Sequence, residues 1–117
     1  MDLQAIADQF AGVTCIMSVE KKPNGNHGAI RIEAGNEAYR KSFLDAAGGT
    51  TPEFIPGLDY QYYIKKDLNL EDFIYRAAVQ KKPMHAYIHM TSEANVWYNM
   101  YALPLESDNP DIGYCAY

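Results

Sequence analysis

The chain has 117 residues, with 10 Lys and Arg against 15 Asp and Glu, giving a formal charge of -5. That length fits one compact domain, and 48% hydrophobic with 21% charged residues excludes a disordered chain. The acidic balance argues against nucleic acid as a partner, because gripping a phosphate backbone needs a basic face. No stretch approaches the ~18–20 apolar residues of a membrane-spanning helix. The start, Met1-Asp2-Leu3-Gln4, lacks the basic residues and apolar run of a signal peptide. Two cysteines, Cys15 and Cys115, are too few for a disulfide framework. The expectation is a soluble, cytoplasmic, single-domain protein whose oddity is tyrosine, which supplies 10 of its 15 aromatic residues.

Leu3, Ile6 and Phe10 recur at helical steps behind a capping Asp2, predicting a short amphipathic helix that needs a partner surface. From Gly12 the period changes to two. Val13, Cys15, Met17 and Val19 alternate with Thr14, Ser18 and Glu20, and only Ile16 breaks the polar face. Turn formers at Lys21-Lys22-Pro23-Asn24-Gly25-Asn26 lead to a second alternating run, with Ile30, Ile32 and Ala34 on one side and Arg31 and Glu33 on the other. A hairpin of strands 13–21 and 28–34 follows. Asn36 caps a helix whose first turn carries Glu37 and whose buried stripe is Ala38, Tyr39, Phe43 and Leu44. The stretch 45–58, with Gly48, Gly49, Pro52, Pro56 and Gly57, is predicted irregular. A helix over 70–82 is capped by Asn69, with Leu68 stapled onto Phe73 and with Leu70, Phe73, Ile74 and Ala77 turned inward, until Pro83 stops it. Strands are predicted at 84–90, 96–105 and 112–117, separated by turns at 91–95 and 107–111.

Helix, two strands, a helical middle and three strands form an order that resembles the PAS (Per-Arnt-Sim) sensor family. Gly35-Asn36-Glu37-Ala38-Tyr39 is similar to that family's Asn-x-Ala signature, Asn69 to Lys82 to its connector helix, and Asn95-Val96-Trp97 to the turn and Trp that open its fourth strand. The resemblance covers essentially the whole chain. It implies an α+β fold with a five-stranded antiparallel sheet, helices between strands 2 and 3, a short N-terminal helix, and first and last strands side by side. It also implies a fragment of a longer signalling protein, because the Asp-Ile-Thr-like triplet that often closes the family is replaced by Cys115-Ala116-Tyr117.

The residues offer little catalytic chemistry. His85 and His89 lie four apart, but on a strand that spacing is ~13 Å, too far for one ion, so no metal site is assigned. His27 sits in a Gly/Asn loop and is expected to be solvated. No Gly-x-Ser-x-Gly, Cys-x-x-Cys or phosphate loop occurs, and Asp59, Asp67, Glu71 and Asp72 are explained by capping. Cys15 and Cys115 read as buried reduced thiols or, on neighbouring strands, as a redox-sensing pair. Nothing matches the reactive-Cys helix motif of PAS flavin photoreceptors, and residues 69–82 lack the His of haem-binding members, so neither haem nor a cysteinyl flavin is supported.

The aromatics carry the remaining signal, because tyrosine joins apolar area to one hydroxyl and suits pockets and interfaces. On the resemblance, Tyr39, Phe43, Tyr60, Tyr63, Phe73 and Tyr98 are candidate ligand contacts, while Leu3, Ile6 and Phe10 are candidate dimer contacts. The implied function is a non-enzymatic sensory module that binds a small ligand or forms a homodimer. Either event would bias a C-terminal output domain of the histidine kinase or diguanylate cyclase type. The rivals are a small cone-shaped α+β enzyme of the ketosteroid-isomerase-like kind and an interaction domain without a ligand.

Overall fold

A computed structural model of the chain describes residues 2–46, 54–63, 65–90 and 96–117, and their side chains except at 42–46, 88–90 and 96–98. The fold is α+β. In chain order it comprises α1 (Leu3–Ala7), β1 (Cys15–Lys21), β2 (His27–Gly35), α2 (Glu37–Ala46), β3 (Leu58–Asp59), a 3₁₀ turn (Tyr60–Tyr62), α3 (Leu68–Ala78), β4 (Met84–Met90), β5 (Val96–Leu105) and β6 (Ile112–Ala116). The strands form one antiparallel sheet in the order β3-β2-β1-β6-β5-β4.

Among the described residues six strands replace the expected five. The sixth, β3, is a two-residue addition beside β2. Pro56-Gly57 bends the chain there, with Gly57 at φ 88 and its N–H donating to the Ile32 carbonyl at 2.9 Å, which lays Leu58–Asp59 along the sheet edge.

Each face of the sheet buries its own set of side chains. On one, Cys15, Met17, Val19, Ile30, Ile32, Ala102 and Cys115 pack under Tyr39, Tyr60, Ile74, Ala77 and Ala78 from the helical middle. On the other, Ile16, Ala34 and Ala116 pack under Ala7, Leu3 and Ile6 of α1. Ile16, the residue out of pattern in β1, is thus fully buried on the second face. Ala34 joins it there instead of following Ile32. The β1–β2 register shifts from Ile16↔Ala34 to Met17↔Ile32, and a bulge of this kind adds a residue that turns the next side chain over.

Local chemistry sets the helix starts. Asp2 caps α1, its carboxylate accepting from Ala5 N–H at 3.0 Å. Asn36 caps α2, its Oδ1 accepting from Tyr39 N–H at 2.9 Å. That oxygen also takes Thr14 N–H at 3.2 Å, while Nδ2 donates to the carbonyls of Phe10 and Gly12 at 3.1 and 2.6 Å. One buried side chain therefore ties the connection after α1 to the start of α2. The cap of α3 is Asp67 rather than Asn69. Asp67 has extended backbone and its carboxylate accepts from the N–H groups of Asn69 and Leu70 at 3.0 and 3.2 Å. The helix begins two residues earlier than expected, Leu68 is 70% exposed instead of stapled, and the helix ends at Ala78 before Lys81 takes φ 59. The expected turn at 91–95, including Asn95, and residues 47–53 of the irregular stretch lie outside the described residues.

No helix among the described residues is long and apolar enough to cross a membrane.

Candidate functional site

The helical flank of the sheet gathers most of the sequence-predicted contacts. Tyr39 and Tyr60 are buried in the main core, with Tyr63 and Phe73 packed partly buried against it. Tyr39 meets Phe54 edge-on at 6.1 Å, and Phe54 stacks on Tyr63 at 5.9 Å. Tyr63 in turn donates its hydroxyl to the Ile55 carbonyl at 2.8 Å and accepts from Ile55 N–H at 2.7 Å. Phe73 lies edge-on to Tyr117 at 6.2 Å. The side chains of Phe43 and Tyr98, the other two candidates, lie outside the described residues. Phe54 and Tyr117 were missed: the first stands in a Pro-rich stretch with no period, the second at the end of the last strand.

Beneath these rings lie the two thiols. β1 and β6 are neighbours, with Met17 opposite Cys115 and Cys15 exchanging both main-chain hydrogen bonds with Tyr117 at 2.9 and 2.8 Å. Cys15 and Cys115 are therefore diagonal neighbours on one face, a relation that puts Cα atoms ~7–8 Å apart, beyond what a disulfide bridges without backbone movement. Both are free and fully buried. Burial pushes each thiol up to about 12, for Cys15 against the opposing effect of a hydrogen bond from Tyr39. Neither is a thiolate at neutral pH, which is the reactive form. Burial likewise raises Tyr39 and Tyr117.

A second polar cluster joins elements far apart in sequence. Tyr60 donates its hydroxyl to Glu71 at 2.5 Å and accepts from Asp67 N–H at 3.1 Å. Burial, then the bond to Glu71, pushes the phenol up to about 12. The other Glu71 oxygen faces His27 Nε2 at 3.6 Å, and the His27 ring leans on Tyr75 at 5.7 Å. Tyr75 donates to the Gly25 carbonyl at 2.9 Å. His27 is half-buried, so the tip of the β1–β2 hairpin is clasped to α3 instead of standing in solvent as expected. With its hydroxyl bonded on both sides, Tyr60 acts as a brace for the start of α3.

The opposite face is covered unevenly. Leu3 and Ile6 pack within the chain onto Ile16, Ala34 and Ala116, and Phe10 is 37% exposed. Toward β4 and β5 the same face carries Tyr87, Tyr101 and Leu103, with the His85 ring stacked on Tyr101 at 4.6 Å and bonded to Asn99 Oδ1 at 3.0 Å. Between α1 and α2 an open groove of about 600 Å³ is lined by Asp8, Phe10, Asn36, Glu37, Arg40 and Lys41. Its charges are mixed and partly spent on Lys41–Glu37 at 3.3 Å and on Arg40 donating to the Gly35 carbonyl at 2.6 Å. Among the described residues no three His, Cys, Asp or Glu side chains converge to hold an ion. Comparison of the chain with protein-family models, with curated proteins and with solved structures returns no match in any of the three.

Proposed function

We propose that the chain is a PAS-like sensory or regulatory module, in which a small ligand on the helical flank or self-association biases an attached signalling domain. The sheet order supports this reading: among the described residues the helices after α1 lie between β2 and β4, and β1 and β6 run side by side at the sheet centre. The observation that carries it is the contact between α3 and the last strand. A Cβ at Gly113 would collide with the Ala78 carbonyl oxygen, so helix and strand touch backbone to backbone. Close-packed elements transmit displacement instead of absorbing it. A ligand contacting Tyr39, Tyr60, Tyr63 or Phe73, together with Phe43 and Tyr98, would therefore move β6 whenever it moved α3. Coupling of this kind needs only that ligand or partner favour one of two arrangements.

Native mass spectrometry of freshly purified protein over a concentration series tests the reading. A co-purified small molecule, or a dimer fraction that grows with concentration, supports it. A bare monomer at every concentration overturns it and leaves the interaction-domain reading.

A further inference from the structure

We propose that a second copy of this chain docks on the outer edge of β4, its own β4 running antiparallel about a two-fold axis at Tyr87. The inference rests on the self-association half of the regulatory reading. β4 is the last strand of the sheet. One flank pairs with β5 in unbroken register from Met84↔Ala102 to Met90↔Val96, and among the described residues no strand pairs with the other. Edge strands are ordinarily blunted by Lys, Pro, a bulge or shortness, because their open N–H and C=O groups template another strand. The far edge follows that rule, since β3 has two residues. β4 does not: its seven residues Met84-His85-Ala86-Tyr87-Ile88-His89-Met90 contain no Lys, no Pro and no bulge.

Charge selects the occupant. The chain carries -5, so two copies repel in general. Residues 84–90 and 96–105 hold no Asp, Glu, Lys or Arg, which makes the β4–β5 ribbon a strip where two like-charged copies meet without bringing fixed charges together. A basic partner would gain nothing there. The strand is also self-complementary. With Tyr87 on the axis, Met84 stands opposite Met90 of the second copy, His85 opposite His89, and Ala86 opposite Ile88. Tyr87 is 61% and Tyr101 53% exposed on the face that would continue across the junction. Seven strand residues and these rings place the interface at the small end of specific contacts, under about 1,200 Å² in total. The association is a reversible one.

Sedimentation velocity over a concentration series, with Tyr87→Lys and Tyr87→Glu, tests this. The wild type is expected to dimerise. Two lysines facing across the axis should raise the dissociation constant about tenfold or more, and mixing the Lys and Glu variants should restore dimer. Hydrogen exchange of the wild type gives a readout without a variant: amides of 84–90 should gain protection as concentration rises, while those of 58–59 should not. A dimer that persists in Tyr87→Lys, or exchange at 84–90 that ignores concentration, overturns this interface alone. A wild type that stays monomeric overturns it together with the self-association half of the reading, leaving the ligand half to native mass spectrometry.

Discussion

The two faces of the sheet are finished differently. The helical face carries fully buried Cys15, Met17, Val19, Ile32 and Cys115 under a layer of tyrosines whose hydroxyls are bonded or desolvated. The α1 face is closed only around Ile16, Ala34 and Ala116, and toward β4 it leaves Tyr87 and Tyr101 more than half exposed. The same residue type serves both. A tyrosine ring contributes apolar area wherever it lands, but its hydroxyl becomes a fixed structural tie only where water is excluded. Stability should therefore concentrate on one face, and association on the other.

The largest blow to that contrast should come from Gly113→Ala. The added methyl collides with the Ala78 main-chain carbonyl, so α3 or β6 must move, and we expect a loss of about 3 kcal/mol in urea unfolding. Gly12→Ala is the control, with nothing within 4 Å of the added atom. Next comes Asn36→Ala. A lone helix cap is worth about 1 kcal/mol, but this buried side chain also holds Thr14 N–H and two carbonyls, so about 2–3 kcal/mol is expected. Tyr60→Phe should cost about 2 kcal/mol, because it strips the buried Glu71 of its phenol donor and leaves Asp67 N–H without its acceptor. At the small end, Tyr101→Ser on the open face should cost monomer stability about 1 kcal/mol, for the loss of its stack with His85. A Tyr101 cost equal to that of Tyr60 would erase the distinction between the faces.

The thiols sharpen the contrast along a pH axis. In the folded chain Cys15 and Cys115 stay neutral to about 12, whereas unfolded thiols ionise near 9.0. Between these values the unfolded state binds fewer protons, so stability is intact below about pH 9 and falls as pH rises toward 12. Labelling by a thiol reagent at neutral pH should be negligible in native protein and complete in urea. Rapid native labelling would show that the helical face opens.

Much of the architecture was legible because period-two alternation is enforced by burial on a sheet. The strands at 84–90 and 96–105 have the expected bounds, and those at Cys15–Lys21, His27–Gly35 and Ile112–Ala116 differ by one or two residues. Ile16 also announced a second buried face, although as a misfit. What could not be read were pairings between one element and another. The bulge that turns Ala34 over depends on how β1 and β2 pair, not on either sequence. Asp67 and Asn69 are both good caps by type. Asp67 caps α3 in a setting where its own N–H is held by Tyr60, a tertiary fact. His27 opens a strand and Glu71 lies on a helix, with no pattern in common, and β3 is too short for any periodicity. Tyr39, Tyr60, Tyr63 and Phe73, named from the resemblance as ligand contacts, belong to or pack against one core, whereas the ring that links Tyr39 to Tyr63, Phe54, carried no signal.

The mutual main-chain bonds between Cys15 and Tyr117 have a consequence for how the chain comes into being. The strand that fills the middle of the sheet, β6, is the last of the six to be synthesised. Until residues 112–116 have been made, the β1–β2 and β4–β5 hairpins share only α3, and each keeps an open edge where β6 will pair. Closing the sheet then joins positions about a hundred residues apart, a non-local step of the kind that slows folding. Chain truncated before β6 should leave the edges of β1 and β5 unpaired beneath α3, so the interval before β6 is complete is one in which this protein is open to aggregation and to chaperone capture.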